Sequence, residues 1–199
     1  FFFKQKTAYE IYQCDWSSDV CSSDLRDGAV ASYTSTVESG FGSGLMAGGY
    51  YLNNELTDFN IVPTRDGKPT ANRVEGGKRP RSSMSPVVVY GPDGTLRLAV
   101  GGAGGATIPV QVIRAIVGTL DWGLSAREAL GLGVVMPMGD MLGVEQGTAL
   151  EGMIPALQAL GHAQVRAVPL RLKANAIERV GDSWRGAADP RSEGASVTP

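Results

Sequence analysis

The chain has 199 residues, a formal net charge of −2, 43% apolar residues and 19% charged ones, which suffices for one domain with its own core. The cluster Lys78-Arg79-Arg81 is too small a basic field to argue for nucleic acid, and no apolar run reaches membrane-spanning length. Glycine is the compositional excess, with 27 residues gathered in loops that can approach a ligand closely.

Residues 1–25 differ in character from everything after them. They hold both cysteines and three of the five phenylalanines, with no clear period of 3.6 or 2. Read back into codons, DWSSDVCSSDL and KQKTAYEI resemble the two ends of a translated sequencing adapter. A secretory signal needs a basic start, a continuous apolar core and a small-residue cleavage site, which do not occur here in that order. The segment 1–25 is therefore set aside as non-native, and 26–199 is taken as the domain. Those later residues contain no cysteine, which leaves a disulfide scaffold, a zinc site and a cysteine nucleophile without support.

Asp27-Gly28 marks a turn, and Ala29 to Val37, rich in β-branched and aromatic residues, predicts a strand. A tight glycine loop follows over 38–44, then a short turn-like element over 52–59. Residues 60–81 read as a long exposed loop. Val87–Tyr90 and Leu96–Val100 flank Gly91-Pro92-Asp93-Gly94, a hairpin. Ile108 to Leu120 shows helical spacing. Ser125, with Glu128 three residues on, predicts a capped second helix to about Leu130. A third helix is expected from about Gly152 to Leu160, ended by Gly161. Ala163–Val168 and Ala174–Val180 read as strands, with Gly181-Asp182 as a turn. Strands, then helices, then strands give an α+β domain rather than a βαβ series.

Several residues stand out as chemistry-bearing. Thr36 and Glu38, two apart on a predicted strand, would share one face; the plainer reading is an exposed strand face. Glu55 and Asp58 within one turn suit an ammonium or an acid/base pair, or simply a solvated surface. Ser82 and Ser83 follow Lys78-Arg79-Pro80 and offer two hydroxyls beside a basic cluster, in what is otherwise a polar turn. Gly104 and Gly105 lie between a strand and a helix, a place that can bind an anion or serve as a tight turn. No Lys-Ser/Thr follows them, so neither common nucleotide fingerprint fits. His162, the one histidine, sits at a predicted helix end and takes no catalytic role. Trp122, Trp184 and the methionines read as packing groups.

Taken in order, Asn53-Asn54-Glu55-Leu56-Thr57-Asp58-Phe59, the block Lys78-Arg79-Pro80-Arg81-Ser82-Ser83-Met84-Ser85-Pro86, Gly104-Gly105 and Asp189-Pro190-Arg191 resemble the small subunit of the γ-glutamyltranspeptidase family across essentially all of 26–199. The resemblance implies an N-terminal-nucleophile hydrolase fold, an αββα sandwich of which this chain supplies part. It implies γ-glutamyl transfer from glutathione and related amides to water or an amino acid, through a Thr acyl-enzyme made by self-cleavage of a precursor. It makes Glu55 and Asp58 the ammonium site, Ser82 and Ser83 the α-carboxylate site, and Gly104 and Gly105 the oxyanion hole. Thr36 would support the nucleophile, Glu38 would help hold the ammonium, and the Asp189 motif is structural. No metal or organic cofactor is implied. The expected partner is the large subunit of the same precursor, with a substrate-binding Arg, and the family is usually periplasmic or extracellular.

Two departures matter. Many members carry Asn where this chain has Glu38. The nucleophilic Thr belongs roughly nine residues before Asp27-Gly28, and position 18 is a serine inside the adapter-like segment. The chain by itself is therefore expected to be inactive and to expose apolar surface. A cephalosporin-acylase-like amidase with the same loops, and a non-catalytic binding module, are the alternatives; the sequence upstream of Arg26 in the intact locus separates the last.

Overall fold

The computed structural model describes residues 11–12, 18–24 and 29–197, with Ser22 the one side chain described before residue 29. The adapter-like reading of 1–25 thus falls largely outside the described residues. The backbone of Ser18–Asp24 (β1) nevertheless forms a strand, paired antiparallel in continuous register with Val30–Thr36 (β2), from Ser18 opposite Thr36 to Asp24 opposite Val30. The sequence pattern predicts no strand over 18–24.

The centre is a four-stranded antiparallel sheet. Val87–Tyr90 (β3) and Leu96–Ala103 (β4) form the hairpin expected from the Gly-Pro-Asp-Gly turn. Asp93 clamps that turn by accepting from the Thr95 hydroxyl at 2.6 Å and the Thr95 amide at 3.0 Å. Ile108–Leu120 (α1) follows the glycine turn, and Ala126–Gly131 (α2) carries the full Ser125/Glu128 capping box. Val135–Met138 (β5), Met141–Glu145 (β6) and Val165–Val168 (β7) make a second, three-stranded sheet with β6 parallel to β7. Between them, Ala149–Met153 is 3₁₀ and Ile154–Ala159 (α3) is α-helical, so the third helix is shorter than its pattern suggested. Lys173–Val180 (β8) and Ser183–Ala188 (β9) complete the central sheet in the order β9-β8-β4-β3.

Strand alternation sorts the sheet's two faces. Leu98 and Val100 of β4, with Ala174 and Ala176 of β8, pack against Ile108, Val112 and Ala115 of α1 and Ala126 and Leu130 of α2, all buried. The intervening Ala99 and Ile177 point the other way, onto Val30, Val88, Trp184 and Ala188. The β1–β2 hairpin lies on that second face. It is tied there by Ser22 Oγ donating to Asn175 Oδ1 at 3.1 Å and Ser32 Oγ donating to the Val100 carbonyl at 3.1 Å. A helical layer, the central sheet and a second β layer therefore stack in sequence, the α+β arrangement the pattern implied.

Trp122 and several methionines correct one expectation: Trp122 is 62% exposed rather than a packing group, and Met46, Met84, Met138 and Met153 are exposed as well, whereas Met136 is buried and Trp184 packs on the Ala99/Ile177 face. Among the described residues no helix is long and apolar enough to cross a membrane.

A buried ion cluster closes the helical layer. Arg114 of α1 donates to the Leu130 carbonyl at 2.8 Å and to that of Leu132, the orphan acceptors at the end of α2. Arg191 donates to the same two carbonyls and grips Asp189 through two bonds of 2.7 Å and Glu145 at 2.9 Å. Two cations thus face two carboxylates. Burial, and then the nearby Arg191 charge, push Arg114 down to about 10 despite Asp189 and Glu145. Burial acts to lower Arg191 as well, but its bonds to Asp189 and Glu145 outweigh that and hold it above its usual value. The Asp189-Pro190-Arg191 motif is structural by this geometry.

Candidate active site

Three loops converge at one end of the sheet. The first leaves β2. Thr36 ends that strand, and Glu38 lies beyond it in the left-handed region with φ 74°. Thr36 and Glu38 therefore do not share a face through strand alternation, as expected from the sequence. They meet because the chain curls back, the Glu38 amide donating to Thr36 Oγ1 at 2.8 Å. The second loop holds Glu55–Asp58, which form one turn of 3₁₀ helix. Asn54 joins it to the first: its Nδ2 donates to Ser39 Oγ and Thr57 Oγ1, both at 2.9 Å, and its Oδ1 accepts from the Ser39 amide at 3.0 Å.

The third loop carries the serines. The 60–81 segment is less featureless than predicted, since Thr64–Arg65 and Lys68–Pro69 form a small hairpin about Asp66-Gly67, both at positive φ (51° and 71°). Asn72, just past that hairpin, donates to the Asp58 carbonyl at 2.6 Å and accepts from the Arg81 amide at 3.0 Å. One carboxamide so fixes the acidic turn against the serine turn. Ser83 Oγ in turn donates to the Gly105 carbonyl at 2.7 Å, joining the serine turn to the glycine turn after β4.

The result is a cavity of about 460 Å³, lined by Thr36, Glu38, Glu55, Asp58, Ser82, Ser83 and Gly105. Gly104 stands one residue behind the wall with φ 126°; a Cβ there would lie 2.8 Å from the Arg171 carbonyl oxygen, so the turn requires glycine. Thr34 and Arg81 also line the cavity and were missed from the sequence. Thr34 was legible in principle, being two residues before Thr36 on the same strand face. Its buried Oγ1 has no hydrogen-bond partner among the described residues.

Charge is distributed unevenly around the wall. Glu38, Glu55 and Asp58 bring carboxylate oxygens within 4.8 Å of one another, close enough to share an ammonium or a metal ion. Burial, followed by the Asp58 charge, raises the Glu38 carboxyl; burial, then Asp58, then Glu38, raises that of Glu55. Hydroxyl donors of Ser82 and Ser83, with Arg81, stand elsewhere on the wall, an arrangement suited to a ligand that is cationic at one point and anionic at another.

This layered α+β fold, with its pocket at one end of the sheet, is that of the N-terminal-nucleophile hydrolases, present here without the second helical layer among the described residues. The family model described as gamma-glutamyltranspeptidase matches residues 18–198, and the chain belongs to that family. It is 42% identical over 107 residues to the glutathione hydrolase proenzyme of Bacillus subtilis, covering 53% of this chain and 17% of the relative. It is 39% identical over 114 residues to that of Escherichia coli, covering 52% and 19%. The chain thus spans about a fifth of the length of these relatives. A γ-glutamyltranspeptidase variant from Helicobacter pylori superposes with a TM-score of 0.77 at 30% identity, over 87% of this chain and 99% of that one. A cephalosporin acylase from Bacillus halodurans shares the fold, with a TM-score of 0.75 at 23% identity over 90% of this chain and 33% of that one.

Proposed function

We propose that the cavity is the donor site of a γ-glutamyl-transferring enzyme that takes glutathione and related γ-glutamyl amides. The observation that carries this reading is the gathering of an acidic trio, a serine pair and a glycine turn around a single cavity. Glu55, Asp58 and Glu38 would hold the α-ammonium, each contact being charge-assisted. Ser82 and Ser83 would donate to the α-carboxylate. The Gly104 and Gly105 amides would receive the oxyanion of the tetrahedral intermediate, a contribution of about 3–4 kcal/mol per donor in comparable sites. Thr36 would orient the nucleophile. In the intact enzyme that nucleophile is an N-terminal Thr whose own amine serves as base, so that water or an amino acid finally accepts the γ-glutamyl group without help from a histidine.

The chain as it stands carries Ser18, inside the adapter-like run, at the position family spacing gives to the Thr, and we infer that it does not turn over. Exposed Phe41, Leu45, Met46, Tyr50, Leu56 and Ile61 form apolar surface consistent with a large-subunit partner. A periplasmic or extracellular location goes with the family reading. Assay of the 199-residue chain with γ-glutamyl-p-nitroanilide tests the inference; turnover that disappears in Ser18→Ala would overturn it.

An acylase reading is disfavoured by the acidic trio, because a glutaryl group has the same length as a glutamyl group but no ammonium for three carboxylates to meet. Calorimetric titration with L-glutamate and with glutarate separates the two. Preference for glutarate would sink the γ-glutamyl assignment.

A further inference from the structure

The two N–H groups assigned to the oxyanion belong to the Ala103–Gly104 and Gly104–Gly105 peptides. In a planar trans peptide the N–H and C=O point in opposite directions. Whatever holds the carbonyl oxygens of Ala103 and Gly104 therefore aims the N–H groups of Gly104 and Gly105. One buried side chain reaches both.

Gln111, on the first turns of α1, is fully buried. Its Nε2 donates one hydrogen to the Ala103 carbonyl at 2.9 Å and the other to Thr107 Oγ1 at 2.8 Å. The Thr107 hydroxyl accepts there and has one proton to give; the Gly104 carbonyl at 3.0 Å is its nearer acceptor, the Arg171 carbonyl at 3.3 Å its farther one, and the Gly104 carbonyl also accepts from the Thr107 amide at 3.3 Å. The Gln111 Oε1 accepts from the Lys173 amide at 2.7 Å, anchoring the carboxamide to β8 beside Ala103. This set of partners fixes the orientation of the carboxamide, since the flipped form would set oxygen against oxygen at Ala103 and N–H against N–H at Lys173. The turn is packed onto this device: a Cβ at Gly104 would lie 2.6 Å from Thr107 Oγ1 and 3.3 Å from Gln111 Nε2. Gly104 and Gly105 themselves are exposed residues, and Gly105 lines the cavity.

We propose that Gln111, acting through Thr107, is a positioning residue that orients the Gly104 and Gly105 peptides toward the oxyanion. The proposal rests on the γ-glutamyl reading of the cavity. Gln111 touches no substrate; its contribution is to hold two peptide planes that would otherwise rotate about a glycine with wide conformational freedom.

The test uses the full 199-residue chain and two ligands. One is 2-amino-4-phosphonobutanoate, a glutamate with a tetrahedral phosphonate in place of its side-chain carboxyl; the other is norvaline, which keeps the ammonium and α-carboxylate and has no oxygen at the side-chain end. Gln111→Leu and Thr107→Val are expected to weaken the phosphonate by about tenfold, the order of one misaligned charge-assisted hydrogen bond, and to leave norvaline unchanged. Thr107→Ser, which keeps the hydroxyl, is expected to bind both like the parent. Equal losses for the two ligands, or parental affinity for both in Gln111→Leu, overturn the proposal. If neither ligand binds the parent chain, the γ-glutamyl reading fails and the amide resonances decide the positioning claim separately. Movement of Gly104 and Gly105 in Gln111→Leu with Leu98 and Ala176 unmoved upholds it, and an unmoved Gly104 refutes it.

Discussion

The Ser83 hydroxyl donates to the carbonyl oxygen of Gly105 across 22 residues of sequence, at 2.7 Å. A hydroxyl has one proton, so a ligand carboxylate must draw it away from Gly105. Ser83→Ala removes both the ligand contact and the tie between loops, and is expected to weaken L-glutamate by about tenfold. Ser85→Ala is the control, since the Ser85 hydroxyl donates only to the Ser83 carbonyl at 2.9 Å. Calorimetric titration of both variants checks this, and unchanged affinity in Ser83→Ala removes Ser83 from the site.

The acidic trio makes a pH-dependent prediction whose sign follows from the raised Glu55 and Glu38 carboxyls. Each is raised by burial first and by the neighbouring Asp58 charge second. A group that binds its proton more tightly when folded favours the fold below the ordinary carboxylate value of 4.5, and this advantage is lost as the pH rises through the raised value. Glu55→Gln should therefore raise the melting temperature at neutral pH and have no such effect under acid conditions where the parent is already protonated. An ammonium ligand reverses the preference, so its affinity should fall on acidification through the same range, with Arg81 the cation that also lines the cavity. A stabilisation by Glu55→Gln that is the same at both pH values would show that neither burial of the Glu55 charge nor repulsion within the trio is its source.

Local chemistry made much of this molecule legible. Gly91-Pro92-Asp93-Gly94 announced the β3–β4 hairpin, the 3.6 period gave α1 from Ile108 to Leu120, and Ser125 with Glu128 gave the start of α2. The β5–β6 hairpin was missed, although Gly139-Asp140 is a turn signal, because Pro137 and methionines make poor strand indicators; Pro137 nonetheless pairs with Leu142. Apart from Thr34 and Arg81, the polar residues lining the cavity were legible as motifs, but the ties between them were not. Asn54, Asn72 and Gln111 join segments far apart in sequence, and nothing in a lone Asn or Gln states what it will reach. Glu38 shows the same limit: it lines the cavity, but through a turn in the left-handed region and not through the strand alternation expected from the sequence.

The Arg191 cluster is expected to matter for folding rather than for ligand contact. Asp189 and Glu145 are 1% and 5% exposed, and Arg191 is the group that contacts both at 2.9 Å or less. Removing it leaves two buried carboxylates facing Arg114, whose nearest contact to Asp189 is 3.5 Å. Arg191→Ala should cost about 3 kcal/mol, and Arg191→Lys most of that, because an ammonium cannot reproduce the fork that grips Asp189. Urea unfolding measures both; a lysine variant as stable as the parent would show that charge alone, without the fork, suffices.

Gly118 sets two stability effects against each other. It lies inside α1, where replacing glycine by alanine ordinarily favours the helix by about 1 kcal/mol. Here, however, a Cβ would come 2.7 Å from the Cβ of Ala129 and 3.3 Å from its Cα, both within the α1–α2 contact. Those atoms cannot rotate away, so the two helices would have to separate. Overpacking of a close-packed core costs about 1–3 kcal/mol, which exceeds the propensity gain. Gly118→Ala is expected to lower the melting temperature, and Arg127→Ala, at an exposed position on α2, to leave it nearly unchanged. A melting temperature raised by Gly118→Ala would mean that α2 shifts freely on α1, which the ties from Arg114 to the Leu130 and Leu132 carbonyls argue against.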